Sequence, residues 1–170
     1  DRPLDIIAYR NAFGFPITGY YEKIGIDLAK ESFDVLTDKF VANFNQGVKH
    51  CELHDGVLDI LQLFKAQQKE QYILTAAHLD FVTPLINNFE IHHYFKVVKG
   101  VENFKAEGKA ARGVKMMEEQ QIQPSETVLI GDTLHDLEVG DALGVDVVLV
   151  SHGHQCEKIL KSRHSEGWVF

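Results

Sequence analysis

The spacing of apolar positions changes near residue 50 of the chain. Up to that point, apolar side chains recur at the three- to four-residue spacing of one helix face, and no segment has the pattern of a strand. The clearest helical set is Phe33, Leu36, Phe40 and Phe44. Beyond it, helical segments alternate with short apolar runs, which indicates a parallel sheet of the doubly wound kind. The pattern therefore predicts an α/β fold, with a helical domain at residues 1–51 and an α/β domain at residues 52–170.

Turn and capping residues divide the second domain into expected elements. Strands are expected at residues 71–75, 95–98, 127–131 and 146–150, with an edge strand at 168–170. Helices are expected from Val57, from Thr83-Pro84 with Thr83 as N-cap, and at residues 109–121, 134–143 and 155–161. The run from Thr127 to Ile130 lacks alternation, which is typical of a central strand covered on both faces.

Length, charge and cysteine content narrow the classes of function. A chain of 170 residues forms one domain, or one domain with a modest insertion. The net charge of −8 argues against a nucleic-acid partner, and no apolar run approaches the ~20 residues of a membrane span. Cys51 and Cys156 stand far apart without CxxC spacing, which predicts free thiols in a reducing compartment. The first residues lack a signal-peptide pattern, so we expect a cytoplasmic protein.

The most informative segment is Gly131-Asp132-Thr133-Leu134-His135-Asp136, at the end of an expected strand. Asp132 then lies at the carboxyl end of that strand, where open α/β sheets bind their ligands. Two nearby carboxylates suit Mg²⁺, which takes one or two protein carboxylates and completes its shell with water and phosphate. Thr133 and Asp136 also have the spacing of a helix capping box. The segment predicts a metal site at Asp132 and leaves both roles open for Asp136.

Two other segments supply groups that bind phosphate. The strand expected to end at Thr75 is followed by Ala76, and a hydroxyl with accessible backbone N–H groups ahead of a helix forms an anion-binding nest. Lys109 follows a glycine and opens a helical pattern, where it supplies a positive charge; Lys105 is the competing candidate. Positioned donors, a cation and Mg²⁺ around the transferring group are what phosphoryl transfer requires.

In this order the motifs resemble those of the haloacid dehalogenase superfamily, in particular its phosphoglycolate-phosphatase-like branch. The resemblance implies a Rossmann-like parallel sheet with an N-terminal helical cap at residues 1–51, and hydrolysis of a small phosphomonoester. It implies Mg²⁺ bound by Asp132 and Asp136. Thr75 and Ala76 would bind the substrate's phosphoryl oxygens, and Lys109 would neutralise their charge. The implied catalytic residues are thus Thr75, Lys109 and Asp132.

The family's nucleophile, an aspartate in a DxDGT motif ahead of the cap, has no counterpart in this chain. Asp55-Gly56 imitates half of that motif, but Leu53 stands at the nucleophile's position and no apolar strand precedes it. We expect the nucleophile upstream of residue 1, in a strand between those that carry Thr75 and Asp132. Without that strand, its neighbours would be separated by about 10 Å, which is two strand spacings.

Two alternatives to a phosphatase follow from the same residues. A catalytically inactive module that binds a phosphoryl ligand or a protein partner explains the missing nucleophile. A receiver-like domain explains an acidic sheet edge, but neither the helical segment before it nor Lys109.

Several further side chains are candidates for lining the site. Arg10 suits a substrate carboxylate, although a surface position is favoured. His78 and His135 follow Thr75 and Asp132 closely enough to reach a substrate. His152 and His154 follow the strand expected at residues 146–150, and a loop role without chemistry is favoured for them.

Overall fold

The computed structural model describes residues 4–102, 108–164 and 167–170, with the backbone alone at residues 45 and 49. The helices in these residues are α1 (Ile6–Ala12), α2 (Ile17–Lys23), α3 (Phe33–Gly47), α4 (Val57–Ala66), α5 (Leu79–Asn88), α6 (Lys109–Gln120), α7 (Leu134–Leu143) and α8 (Glu157–Arg163). The strands are β1 (Tyr72–His78), β2 (Val97–Val101), β3 (Val128–Gly131), β4 (Asp146–Leu149) and β5 (Trp168–Val169). The predicted α/β fold with parallel strands is confirmed.

The chain divides into two compact units, which are described separately. The middle unit is Val41–Glu119, and the terminal unit combines Asp1–Phe40 with Gln120–Phe170. None of the described helices is both long and apolar enough to cross a membrane.

In the middle unit, β1 and β2 form a parallel pair. Tyr72, Ile73 and Leu74 pair in register with β2, and the register shifts before pairing resumes at His78. The core beside this pair consists of Leu61 from α4, Ile86 from α5 and Ile91, with partly buried apolar side chains from both strands around them. Apolar helix faces therefore cover the strand pair, as the sequence pattern predicts.

In the terminal unit, β4 lies in the centre of a parallel sheet with the order β3-β4-β5. Val147, Leu149 and Leu160 are buried beside this sheet, with further apolar side chains from β3 and α7 against them. Helix α7 lies so close to β4 that a Cβ at Gly140 would be 2.1 Å from Cγ2 of Val147. A larger residue at that position of the helix would displace the Val147 side chain.

The start of α5 differs from the prediction. The helix begins at Leu79, and His78 is its N-cap, with the ring Nδ1 accepting from the backbone N–H of Asp80 at 3.2 Å. Thr83 and Pro84 are inside the helix, so the predicted N-cap at Thr83 is wrong. The His78 side chain has the capping role that serine, threonine and asparagine usually have, and Pro84 lacks the N–H that would donate to a backbone carbonyl of the helix.

The surroundings of β3 also differ from the prediction. Val128 is 49% exposed and Ile130 is 54% exposed, so the expectation of a strand covered on both faces is wrong for the described residues. Val128 and Ile130 share the exposed face of β3, whereas Leu129 on the opposite face packs against the core of the terminal unit. Within the described part of the chain β3 pairs with β4 alone, and the central position belongs to β4.

Candidate active site

Asp132 follows β3 directly, at the carboxyl end of the sheet in the terminal unit. Gly131 pairs with Leu149, so β3 and β4 end side by side, and the chain after β4 returns past Asp132. The backbone N–H of His154 donates to Oδ2 of Asp132 at 2.7 Å. A Cβ at Gly153 would lie 2.0 Å from the same oxygen, so a glycine is required there. The carboxylate is therefore held by the backbone of the loop after β4.

Asp136 lies beside Asp132 and is only 4% exposed. Its Oδ2 accepts from the backbone N–H groups of Asp132 at 3.1 Å and Thr133 at 3.0 Å, and from the Thr133 hydroxyl at 2.7 Å. The Thr133 hydroxyl accepts in turn from the Asp136 N–H, which completes the capping box at the start of α7. The capping role foreseen for Asp136 is confirmed, and its role toward a metal stays a prediction.

The carboxylate donors at this edge are of the kind that Mg²⁺ binds. Asp132 and Asp136 carry hard carboxylate oxygens, and Gly131 brings the strand end close to Asp136, where a Cβ would lie 2.3 Å from Cβ of Asp136. Mg²⁺ takes one or two protein carboxylates and fills the remaining positions with water and phosphate. Among the described residues, no group of three or more His, Cys, Asp or Glu side chains could hold a metal ion.

Helix α1 contacts the loop that holds Asp132. The Tyr9 hydroxyl lies 2.5 Å from Nδ1 of His154, and the His154 ring stacks on Phe13 with a centroid distance of 4.6 Å. Burial raises the pKa of Tyr9 to about 12, and the nearby Tyr20 and Asp132 add to this shift. Tyr9 is therefore an uncharged phenol at neutral pH. His154, for which the sequence favours a loop role without chemistry, is in direct contact with Asp132.

Arg10 and Gln155 complete the contacts of this loop. Arg10 is partly buried and donates from Nε to the Gly153 carbonyl at 2.9 Å and from Nη2 to the His152 carbonyl at 2.5 Å. Gln155 is 4% exposed. Its Oε1 accepts from the Leu134 N–H at 2.7 Å, and its Nε2 donates to the Phe13 carbonyl at 3.0 Å.

Sequence reasoning missed Gln155 altogether. Its position in the chain could have indicated it, because Gln155 comes after β4, which is adjacent to the strand that precedes Asp132. His135 was weighed as a lining residue. Its ring contacts Phe15 at a centroid distance of 4.9 Å, and its Nδ1 lies 3.2 Å from Glu138 Oε2.

Thr75 lies in the middle unit, where the regular pairing of β1 with β2 is interrupted after Leu74. Its hydroxyl accepts from the Ala77 N–H at 3.1 Å, and Ala76 is exposed between them. β2 lies so close to this irregular segment at Gly100 that a Cβ there would be 2.7 Å from the Ala77 carbonyl oxygen. Glycine avoids this contact. The Ala77 N–H, which follows the segment expected to bind an anion, therefore donates a hydrogen bond to the Thr75 side chain.

Lys109 is the first residue of α6, as predicted, and is half-buried. Thr75 lies within β1, which continues to His78 instead of ending at Thr75 as predicted, and Lys109 follows β2 in the chain. A lysine at a helix N-terminus is unfavourable toward the helix dipole, which favours a role beyond packing. The competing Lys105, with Ala106 and Glu107, lies outside the described residues.

The structure therefore brings together one half of the predicted set directly. Asp132 and Asp136 are joined by a hydrogen bond within the terminal unit. Thr75 and Lys109 both belong to the middle unit.

Curated relatives of this chain are phosphatases by name. It is 29% identical over 111 residues to a phosphoglycolate phosphatase of Thiobacillus denitrificans, across 62% of this chain and 49% of the relative. It is 25% identical over 139 residues to phosphoglycolate phosphatase 1 of Pseudomonas aeruginosa, across 81% of this chain and 50% of the relative. The chain thus spans about half the length of the curated relatives it matches.

The fold and a family model agree with these relatives. The crystal structure of a predicted phosphatase from Clostridium acetobutylicum superposes with a TM-score of 0.76 at 21% identity, across 89% of this chain and 70% of that one. This likeness concerns the fold. The model of the haloacid dehalogenase-like hydrolase family matches residues 4–150. The chain belongs to the haloacid dehalogenase-like hydrolase family.

Proposed function

We propose that the protein containing this chain is a Mg²⁺-dependent phosphatase that hydrolyses a small phosphomonoester. The observation that carries the proposal is the placement of Asp132 in a member of this hydrolase family. It follows β3 at the carboxyl end of a parallel sheet, and a backbone N–H fixes its carboxylate beside buried Asp136. Relatives named phosphoglycolate phosphatase favour a small, anionic substrate such as phosphoglycolate.

The residues of this chain would bind and orient the substrate's phosphoryl group. Asp132 would hold Mg²⁺, with Asp136 as a further ligand or as the support that fixes the Asp132 backbone. The ion supplies positive charge that stabilises the phosphoryl oxygens. Thr75 and Ala76 would donate hydrogen bonds to these oxygens, and Lys109 would neutralise charge that develops during transfer. Helices α1–α3, as a cap, would select the substrate.

The attacking group is proposed to be an aspartate upstream of residue 1. Its carboxylate oxygen would form a bond to phosphorus while the ester P–O bond breaks, and the alcohol would leave with a proton from solvent. Water would then hydrolyse the aspartyl-phosphate, which releases phosphate and regenerates the aspartate. The position of β3 at one side of the described sheet supports an additional strand beside it. The free thiols of Cys51 and Cys156 support our proposal of a cytoplasmic location.

The test is phosphate release by the full-length protein from phosphoglycolate and a panel of other small phosphomonoesters. We expect turnover with Mg²⁺ and none after chelation. Thr75→Val and Lys109→Gln should each lower kcat/KM by about 10²–10³-fold, the range for losing one charge-stabilising donor. Lys115→Gln is the matched control, because Lys115 is an exposed lysine on the same helix.

Two results would change this conclusion. Binding of phosphate esters without turnover would replace the phosphatase by an inactive binding module. Equal turnover with Mg²⁺ and with chelator would remove the metal from the proposal.

A further inference from the structure

We propose that Arg10 is a positioning residue for Asp132, acting from α1 through a single peptide group of the loop after β4. The proposal rests on the proposed function, since it concerns the carboxylate assigned to Mg²⁺. Arg10 lies outside the motifs that contain Thr75, Lys109, Asp132 and Asp136, and it is far from Asp132 along the chain.

The central observation is that Arg10 and Asp132 bind opposite sides of the same peptide unit. The carbonyl of Gly153 accepts from Arg10 Nε at 2.9 Å, and the N–H of the next residue, His154, donates to Asp132 Oδ2 at 2.7 Å. These two groups belong to the Gly153–His154 peptide, which is planar, so its C=O and N–H turn together. Fixing the carbonyl therefore fixes the direction of the N–H that holds Asp132.

The charge on Arg10 strengthens this effect. A guanidinium bound to a carbonyl polarises the peptide, which makes its N–H a better donor to a carboxylate. The fork geometry of arginine also allows a second bond, from Nη2 to the carbonyl of His152. Two consecutive carbonyls are thus held by one side chain, and a lysine could not hold both with the same geometry.

The remaining contacts of the loop leave the peptide little freedom. Gly153 lies so close to Asp132 that a Cβ would come within 2.0 Å of the carboxylate oxygen. The His154 side chain is stacked on Phe13 and lies within hydrogen-bond distance of Tyr9. Gln155 connects the end of α1 to the first turn of α7. The loop is therefore held by contacts to α1 and α7. Among these contacts of the described residues, Arg10 is the one charged side chain that donates to the carbonyls of the loop.

The experiment measures two quantities in the full-length protein and in its Arg10→Gln and Arg10→Lys variants. The first is the hydrogen-exchange rate of the His154 amide, followed by NMR without metal. The second is the Mg²⁺ dissociation constant, measured by calorimetry without substrate. Arg163→Gln is the matched control, since Arg163 is 63% exposed at the end of α8 and lies 3.6 Å from Glu138.

We expect Arg10→Gln to speed exchange of the His154 amide and to weaken Mg²⁺ binding about 10-fold, the lower end for residues that orient a metal ligand. Arg10→Lys, which keeps the charge and one bond, should fall between Arg10→Gln and the unsubstituted protein. Arg163→Gln should change neither quantity. Combining Arg10→Gln with Asp132→Ala should raise the exchange rate by less than the product of the single effects, because both act on one peptide.

A lower melting temperature with unchanged His154 exchange and unchanged Mg²⁺ affinity would overturn the proposal, because Arg10 would then only stabilise the fold. If Arg10→Gln does not fold, the same comparison made with Arg10→Lys decides the question. Absence of Mg²⁺ binding in the unsubstituted protein would overturn the proposed function instead. The His154 exchange rates would still show whether Arg10 controls the peptide that holds Asp132.

Discussion

Of the two roles that the sequence left open for Asp136, the structure shows the capping role. Three donors converge on its Oδ2, and the residue is almost fully buried at the start of α7. One of these donors is the backbone N–H of Asp132, so the capping box also fixes the backbone of the proposed metal ligand. Capping is therefore compatible with a catalytic contribution, since the same carboxylate shapes the turn that presents Asp132.

Asp136→Ala should lower the free energy of unfolding by about 2–4 kcal/mol at neutral pH, measured by urea denaturation without Mg²⁺. Loss of a cap costs about 0.5–2 kcal/mol, and leaving buried donors without an acceptor adds about 1–3 kcal/mol. Asp141→Ala, at an exposed carboxylate of the same helix, should change stability by less than about 0.5 kcal/mol. Equal stability of both variants would show that Asp136 does not hold this turn.

At the residue scale, local spacing allowed the prediction of some site residues but not of others. The capping box follows from Thr133 and Asp136, three positions apart, and its geometry is confirmed. Arg10 contacts Gly153 across 143 positions, and Gln155 contacts Phe13 across 142. Such partners are adjacent only after the sheet has formed, so no local pattern could have indicated them.

At the element scale, the alternation of helices and strands was predicted well. The errors concern the start of one helix and the exposure of one strand. Helix α6 begins at the predicted Lys109 and α7 spans the predicted Leu134–Leu143. Helix α5 begins earlier than predicted because a histidine side chain, an uncommon cap, accepts the backbone N–H of Asp80. The exposure of one face of β3 depends on which elements pack against that face, which a non-alternating run cannot indicate.

The packing of α7 on β4 gives a prediction at this scale. Gly140→Ala should destabilise the protein by about 1–3 kcal/mol, because its Cβ would lie 2.1 Å from Val147 in a close-packed interface. This outweighs the gain in helix propensity of about 1 kcal/mol. Gly19→Ala is the control, since a Cβ there meets no atom within 4 Å and α2 should gain up to about 1 kcal/mol. Urea denaturation midpoints distinguish the two, and a stabilised Gly140→Ala would contradict the close packing.

At the scale of the whole molecule, glutamates that are paired with lysines predict a loss of folding stability in acid. The pKa of Glu70 is lowered by hydrogen bonds from Lys96 and then Tyr72, that of Glu119 by Lys99, and that of Glu157 by Lys161. A carboxyl whose pKa is lower in the folded state stabilises the fold above its unfolded pKa, and this stabilisation is lost as pH falls through the folded pKa.

The free energy of unfolding should therefore fall as pH is lowered below 4.5, the ordinary value for these glutamates. Glu70→Gln should make this decline shallower, because one linked carboxyl has been removed. Lys96→Gln should act in the same direction by removing the partner. The measurement is urea denaturation of each variant at several pH values between neutral and about 3. A slope identical to that of the unsubstituted protein would contradict the assigned cause.

The central claim is that Asp132 holds the metal that a phosphatase needs. The most direct measurement is kcat/KM for phosphate release with saturating Mg²⁺ by the full-length protein and by Asp132→Ala, with Asp141→Ala as control. We expect a loss of at least about 10²–10³-fold for Asp132→Ala, because electrostatic stabilisation of the transferring group is removed, and no loss for the control. Activity of Asp132→Ala within about threefold of the unsubstituted protein, a difference of only about 0.7 kcal/mol, would contradict it.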